Sequence, residues 1–244
     1  MNKPTVIVIA GPTASGKSNL AIELAKTING EVISADSMQI YKDMNIGTAK
    51  VTDKEMENIK HYMIDIVSPD ERYSVSQYKK EAESAIEKIL DKGKTPIICG
   101  GTGLYINSLI YGINFADEDV DEKYREELNK TAQEEGLERL YNMAVSIDPE
   151  AMEKISKNDQ KRIIRVLEIY HKTGKTKTQQ EIESRSKELK YNYKVFAINM
   201  ERDILYERIN KRVDIMIKNG LIEEVKKILE KYKTFPTAMQ GLRI

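Results

Sequence analysis

The chain has 244 residues, 40% of them hydrophobic, with 39 basic and 39 acidic side chains and a formal net charge of zero. It is long enough to bury a substantial core, and no overall charge draws it to polyanions or membranes. A single cysteine, Cys99, excludes an internal disulfide and a cysteine-rich zinc site. No stretch reaches the ~18 apolar residues of a membrane span and the N-terminus lacks a signal pattern, so a soluble, cytoplasmic protein is expected.

In chain order, the β-branched run Thr5–Ala10 predicts a buried strand, and apolar residues at helical spacing predict a helix over 17–28. A strand at Glu31–Ala35, a loop, a strand at Tyr62–Ile66, a helix at Ser76–Lys92, a strand at Thr95–Gly100 and a helix at Leu104–Gly112 follow. The pattern then becomes wholly helical, with Glu122–Glu135, Leu137–Ser146, Pro149–Ile155, Asp159–Thr173 and Thr178–Ser186. A strand at Lys194–Met200 and amphipathic helices at Asp203–Asn219 and Ile222–Lys231 close the core. This alternation predicts an α/β, doubly wound parallel sheet with an inserted all-helical subdomain. The expected boundaries are 1–116 and 192–244 for the core and 117–191 for the insertion.

Between the first strand and helix stands Gly11-Pro12-Thr13-Ala14-Ser15-Gly16-Lys17-Ser18, which fits G-x-x-x-x-G-K-[ST]. Glycines there let backbone N–H groups converge on an anion, and the helix N-terminus adds partial positive charge. Lys17 would reach the outer phosphates, and Ser18 would help hold a Mg²⁺ bridging phosphate oxygens. The loop recognises oligophosphate geometry and does not identify the attached group. In a parallel sheet, ligands gather beyond the carboxyl ends of the strands. There Asp36 either holds the metal through water, accepts a proton from a nucleophile, or caps a turn. Gly100-Gly101-Thr102-Gly103 is a second glycine-rich loop, in which Thr102 offers a hydroxyl to a phosphate or the loop is a plain turn. Arg212, one helical turn after Arg208, could clamp a diphosphate or pair on the surface.

Charge is unevenly placed. Asp117–Glu153 holds thirteen acidic and four basic residues, whereas Lys154–Lys194 holds twelve basic and five acidic. Such sorting suits a polyanion-binding face inside a neutral protein, or a solvated helical hairpin with its charges divided between its arms.

The run G-P-T-A-S-G-K-S, then I-S-A-D-S-M-Q-I-Y-K-D-M-N-I-G-T-A-K from Ile33 to Lys50, G-G-T-G-L-Y from Gly100, N-D-Q-K-R-I-I-R-V-L-E-I from Asn158 and R-I-N-K-R-V-D-I-M from Arg208 together resemble bacterial tRNA dimethylallyltransferases. The resemblance runs through nearly the whole chain and implies a P-loop NTPase-like core. It also implies transfer of a dimethylallyl group from dimethylallyl diphosphate to the exocyclic amine of the adenosine 3′ of the anticodon, with Mg²⁺. Carried over by position, Gly11, Pro12, Thr13, Ala14, Ser15, Gly16, Lys17 and Ser18 bind the diphosphate, and Asp36 is the general base. Thr102 and Arg212 contact the bridging oxygen and the terminal phosphate. tRNA contacts fall to Asp36, Ser37, Met38, Gln39 and Thr102, and to Lys161, Arg162, Ile163, Ile164 and Arg165 in the insertion. The partners expected are a tRNA anticodon stem-loop and the prenyl diphosphate, no membrane, and a monomer.

The resemblance also implies a C-terminally shortened sequence. Members of that family continue past Thr237–Leu242 with a Gly-Tyr pair and further helices, where Arg243 and Ile244 stand here, and this touches the tRNA contacts near Gln240. Two other readings remain open on the residues alone: a P-loop small-molecule or nucleoside kinase using ATP, and a non-catalytic tRNA-binding remnant. Most tyrosines, Tyr141 and Tyr170 among them, read as packing residues. Tyr41 and Tyr105 stand near the expected site and either line a prenyl or base pocket or pack. His61 and His171 lack partners for a metal site, and Cys99 reads as a small buried hydrophobe.

Overall fold

The computed structural model describes residues 3–113, 121–185, 188–232 and 238–239. The chain divides into two compact units, Met1–Ile110 with Leu189–Ile244, and Tyr111–Glu188.

The first unit is built on the parallel strands β1 (Thr5–Ala10), β2 (Gly30–Ser34), β3 (His61–Tyr62), β4 (Thr95–Gly100) and β5 (Asn192–Ala197), in the order β3-β2-β4-β1-β5. Alternation along the inner strands sorts their side chains to two faces. Ile9, Val32 and Ile97 pack with Ala21 and Ala25 of helix α1 (Lys17–Ile28). Val8, Ile33 and Ile98 pack on the other face with Tyr78, Ile86 and Ile89 of α3 (Val75–Asp91) and Ile106 and Leu109 of α4 (Gly103–Ile110). Because both faces are covered, the inner strands read as continuous apolar runs. The result is the doubly wound α/β core that the alternation of elements predicts.

Four local differences from the sequence reading have physical causes. The third strand is only two residues long, because Met63 and Asp65 take left-handed backbone angles (φ 62° and 56°). The chain there leaves β2, and Ile66 and Val67 donate instead to the Ile40 carbonyl. A short helix, α2 (Asp53–Met56), forms within the expected loop, capped by reciprocal bonds between Thr52 and Glu55. β5 begins at Asn192 and ends at Ala197, two to three residues earlier than expected, as an edge strand with Val195 and Phe196 exposed. Finally, α10 (Arg202–Lys218) does not close the core: none of its residues is buried, and of the two last helices α11 (Leu221–Lys231) alone buries a side chain, Ile228.

The second unit contains α5 (Glu122–Glu134), α6 (Leu137–Ile147), α7 (Pro149–Met152), α8 (Gln160–Thr173) and α9 (Lys177–Arg185). Its core is Leu128, Leu140, Ala144, Met152, Ile163 and Leu167 with their neighbours. The Asp148 carboxylate accepts from the Ala151 N–H, capping α7, and from both the N–H and the hydroxyl of Thr178, tying α9 to the α6–α7 corner. Arg125 donates through Nε and Nη2 to the buried Glu168 at 2.6 and 3.1 Å, joining α5 to α8. Tyr141 packs against this core as expected, but Tyr170 is 42% exposed, so packing does not explain it.

Candidate active site

The carboxyl ends of β1, β2 and β4 lie side by side, and the loops that leave them form one cavity. The loop after β1 turns into α1 through Gly16, whose φ of 90° is left-handed and favours glycine. Lys17 and Ser18 thereby open the helix, beside its unpaired N–H groups. The Lys17 ammonium donates to the Pro12 carbonyl at 2.5 Å, closing the loop over itself. Ser15 Oγ is buried and has no hydrogen-bond partner among the described residues, an orphaned hydroxyl inside a loop whose pattern suits an anion.

Gly100, the last residue of β4, sits against Ala35, and Gly101, which follows it, sits against the β1–α1 loop. A Cβ on Gly101 would lie 3.3 Å from the Gly11 carbonyl oxygen and 3.9 Å from Lys17 Nζ. One on Gly100 would fall 2.1 Å from the Ala35 carbonyl oxygen. The second glycine loop therefore exists so that three backbone segments can approach closely, and the plain-turn reading of it does not suffice.

Asp36 follows immediately. Its Oδ1 accepts from the N–H groups of Met38 (2.9 Å) and Gln39 (3.4 Å), so it does cap a turn, while Oδ2 has no hydrogen-bond partner among the described residues. The turn-cap reading of this aspartate therefore holds for Oδ1, and Oδ2 faces no partner among the described residues.

The cavity measures about 510 Å³, within the range of small-ligand sites, roughly 300–1,000 Å³. Thr13, Ala14, Ser15, Gly16, Lys17 and Ser18 form one wall, with Asp36, Gln39 and Arg212 facing in. Arg212, on α10, donates to the Thr13 hydroxyl at 3.0 Å and to the Ala49 carbonyl at 3.5 Å. Burial presses the pKa of Lys17 down, with the carboxylate of Asp36 pulling the other way and Arg212 adding to the depression. Arg212 is lowered by burial too, against attraction from Asp36 and Glu55. Two half-buried cations facing one space are costly to hold without an anion, which is what such a space is suited to receive.

Other expected residues divide. The Thr102 hydroxyl accepts from the Ser37 N–H at 2.9 Å and pairs with the Ser37 hydroxyl at 3.3 Å, linking the β2 and β4 loops. Gln39 spends its amide N–H groups on the carbonyls of Thr48 and Ala49. Tyr41 and Tyr105 are buried and line no part of the cavity; Tyr105 stacks on Tyr78 with ring centroids 3.9 Å apart, so both are packing residues. In the helical unit Lys161 and Arg162 are exposed and Arg165 half-buried on α8, but Ile163 and Ile164 are buried in that unit's core. The helical period sends their side chains inward, so the expected contact run reduces to its three cations. Gln240 lies outside the described residues.

Sequence reasoning missed the wall made by residues 45–52 and by the end of α10 with its C-cap Asn219, which bring Ile46, Val51, Ile215 and Met216 to the cavity as apolar lining. The signal was present in the N-I-G-T-A-K run, quoted above only as part of a resemblance. Cys99 also lines the cavity; burial pushes its thiol up to about 12, so it is a neutral surface, as a small hydrophobe would be.

A family model described as IPP transferase matches residues 39–244. The chain belongs to the IPP transferase family. Among curated members, the tRNA dimethylallyltransferase of Acetivibrio thermocellus is 53% identical over 97% of this chain and 76% of its own length. That of Halothermothrix orenii is 51% identical over 98% and 73%. The crystal structure of the tRNA isopentenylpyrophosphate transferase of Bacillus halodurans matches 98% of this IPP transferase chain and 74% of its own at 41% identity, with a TM-score of 0.67. A eukaryotic dimethylallyltransferase captured acting on tRNA matches 94% of this chain and 56% of its own, at 36% identity and a TM-score of 0.81. This IPP transferase chain thus spans about three quarters of the length of the curated relatives it matches.

Proposed function

We propose that the chain transfers a dimethylallyl group from dimethylallyl diphosphate to the exocyclic amine of the adenosine 3′ of the anticodon in tRNA, releasing diphosphate. The observation that carries this is the joining, in one cavity with an apolar side, of an anion cradle, two cations and a carboxylate with a free oxygen. Membership of the IPP transferase family, and the names of its curated relatives, select the prenyl reading over a kinase.

The residues from Gly11 to Ser18 hold the diphosphate, with Ser15 Oγ finding in it the partner it lacks. Lys17 and Arg212 face the phosphate oxygens and meet the charge that grows there as the allylic C–O bond breaks and its electron pair leaves with diphosphate. The adenine amine is a weak nucleophile because its lone pair is delocalised into the ring. As it bonds to the allylic carbon, Asp36 Oδ2 takes its proton; Oδ1, pinned by Met38 and Gln39, fixes the direction of approach. Thr102, whose hydroxyl accepts from the Ser37 N–H, orders the loop that carries Asp36.

Ser18 lines the cavity, and its hydroxyl has no side-chain partner among the described residues, so it would help hold a Mg²⁺ completed by phosphate oxygens and water. When bound, the ion would neutralise charge on the leaving diphosphate.

A base stacked in an RNA loop cannot enter such a site, so the target adenosine is turned out of its stack. Asp36, Ser37, Met38, Gln39 and Thr102 receive it, and Lys161, Arg162 and Arg165 of the helical subdomain, 117–191 by the sequence reading, meet backbone phosphates. Among the described residues no helix is long and apolar enough to cross a membrane, in keeping with work in the cytoplasm.

The test is incubation with Mg²⁺, labelled dimethylallyl diphosphate and an unmodified anticodon stem-loop, beside an Asp36→Ala variant. Label entering RNA with the wild type, and falling by orders of magnitude in the variant, is the expected result. Loss of the γ-phosphate from ATP in a parallel tube, with no prenyl transfer, would replace the proposal with a kinase.

A further inference from the structure

The N-I-G-T-A-K run after the Asp36 turn takes no part in the chemistry above, yet it forms a whole wall of the cavity. In the structure the N–H groups of Asn45, Ile46 and Gly47 converge, and all three donate to one carboxylate, Glu224 of α11, at 2.9, 2.8 and 2.9 Å. Three successive N–H groups aimed at one point form an anion nest, and here its anion is a side chain of the protein, 177 to 179 residues away. The other end of the run is pinned by Lys50. Its ammonium is buried and donates to the Tyr41 carbonyl, Asn45 Oδ1 and Asp65 Oδ1. Between these anchors, Thr48 and Ala49 present carbonyls to Gln39, and Ala49 also presents its carbonyl to Arg212.

Glu224 and Arg212 belong to the same helical pair, α10 and α11. α11 packs Ile228 and, in part, Val225 against Ile40, Tyr41 and Met44, but no residue of α10 is buried. Polar contacts therefore contribute to the register that places α10 over the cavity. The Glu224 nest is the one made with three charge-assisted bonds, whereas the Lys231–Asp43 pair farther along α11 is exposed.

We infer that Glu224 is a positioning residue: by occupying the nest of residues 45–47 it sets α10 so that Arg212 bridges Thr13 and Ala49 and faces the diphosphate site. This rests on reading the cavity as a prenyl diphosphate site. Gln in place of Glu224 keeps the size and one acceptor oxygen but turns an NH₂ toward backbone N–H groups. The nest then loses at least one bond and gains a repulsion, and Arg212 is no longer held.

The test is a cycle of four proteins, wild type, Glu224→Gln, Arg212→Ala and both together, with binding of inorganic diphosphate in Mg²⁺ measured by calorimetry. Glu224→Gln is expected to weaken binding about tenfold, and the double variant to bind no more weakly than Arg212→Ala alone. Glu224→Asp, whose carboxylate still reaches part of the nest, is expected to fall between Glu224→Gln and the wild type. Lys231→Ala, which loosens α11 at its exposed end, is expected to bind as the wild type does, and this separates positioning from general destabilisation. Wild-type affinity in Glu224→Gln, or effects of Glu224→Gln and Arg212→Ala that simply multiply, would overturn the inference while leaving the cavity reading intact. Failure of the wild type to bind diphosphate would overturn both.

Discussion

Gly100→Ala adds a single methyl group at the junction of three backbone segments, and the structure sets a large effect for it. The new Cβ would stand 2.1 Å from the Ala35 carbonyl oxygen, 2.4 Å from its carbon and 2.7 Å from its Cα. These are backbone atoms, so no side chain can swing away, and relief requires β2 and β4 to part by roughly 1 Å at their carboxyl ends, in a core packed as tightly as an organic crystal. Parting them strains the Ala35 N–H bond to the Cys99 carbonyl (2.8 Å) and the Thr102 N–H bond to the Ala35 carbonyl (3.0 Å). Two weakened buried bonds at about 1 kcal/mol each, with roughly 1–2 kcal/mol of overpacking, give a loss of about 3–4 kcal/mol. Asp36 is the next residue after Ala35, so the same displacement moves the carboxylate that would take the adenine proton. A misplacement on the order of 1 Å costs roughly a hundredfold in rate. Urea unfolding reads the first quantity, and single-turnover transfer of label to an anticodon stem-loop, at protein concentrations where the variant is folded, reads the second. A Gly100→Ala protein with wild-type stability and transfer rate would refute the claim that backbone approach, and not a generic turn, is what the second glycine loop provides.

Three further outcomes follow from individual contacts. Asp36→Asn keeps an oxygen to accept from Met38 and Gln39 but loses the basic one, so transfer should fall by roughly 10²–10⁴-fold with diphosphate affinity within a few-fold of the wild type; equal loss of binding would mean that Asp36 is a diphosphate or metal ligand first. Glu31, buried on β2, would have its pKa raised by desolvation, but hydrogen bonds from Lys94, Tyr62 and Lys92 hold it at about 2. A depressed carboxylate stabilises the fold above its unfolded pKa near 4.3 and loses that effect as pH falls toward 2. Glu31→Gln should therefore cost about 1–2 kcal/mol at neutral pH, after screening of the exposed lysines is allowed for, and converge on the wild type near pH 2 in denaturant titrations. In the helical unit, Asp148→Ala removes the α7 cap and both bonds from Thr178, for a loss of about 2–3 kcal/mol, read as a lower urea midpoint for that unit with diphosphate binding unchanged.

The parts of the fold legible in the sequence were those in which one local rule decides. The β1–loop–α1 unit carries its own glycines and strand pattern, and β4 is an apolar run bounded by turn residues. The helices of Tyr111–Glu188 announce themselves by period and caps, as in Asp159 before α8 and Gly174 after it. What was not legible depends on partners distant in sequence. The third strand was cut short by left-handed residues whose conformations are stabilised by pairing with the 39–41 segment. Ile163 and Ile164 look like part of a contact motif until helical phase places them inside. Tyr41 and Tyr105 stand beside functional residues in sequence and behind them in space.

The candidate site divides along the same line, and the division says something about how it is built. Residues that bind by backbone geometry, from Gly11 to Ser18, are contiguous and were visible as a pattern. Arg212 and the wall of 45–52 were ambiguous because a surface arginine and a polar loop have no local signature; they become part of the site only through bonds that span 163 to 199 residues. The cradle alone would bind any oligophosphate. The distant contacts add a second cation and apolar residues beside the locally held Asp36 carboxylate, and under the proposed function those features together would distinguish an allylic diphosphate with a nucleophile facing it from a nucleotide. On the proposed function, Arg212 is the part of the diphosphate site that depends on the α10–α11 pair, so disturbing the Glu224 nest should weaken diphosphate binding while the Gly11–Ser18 loop keeps its shape.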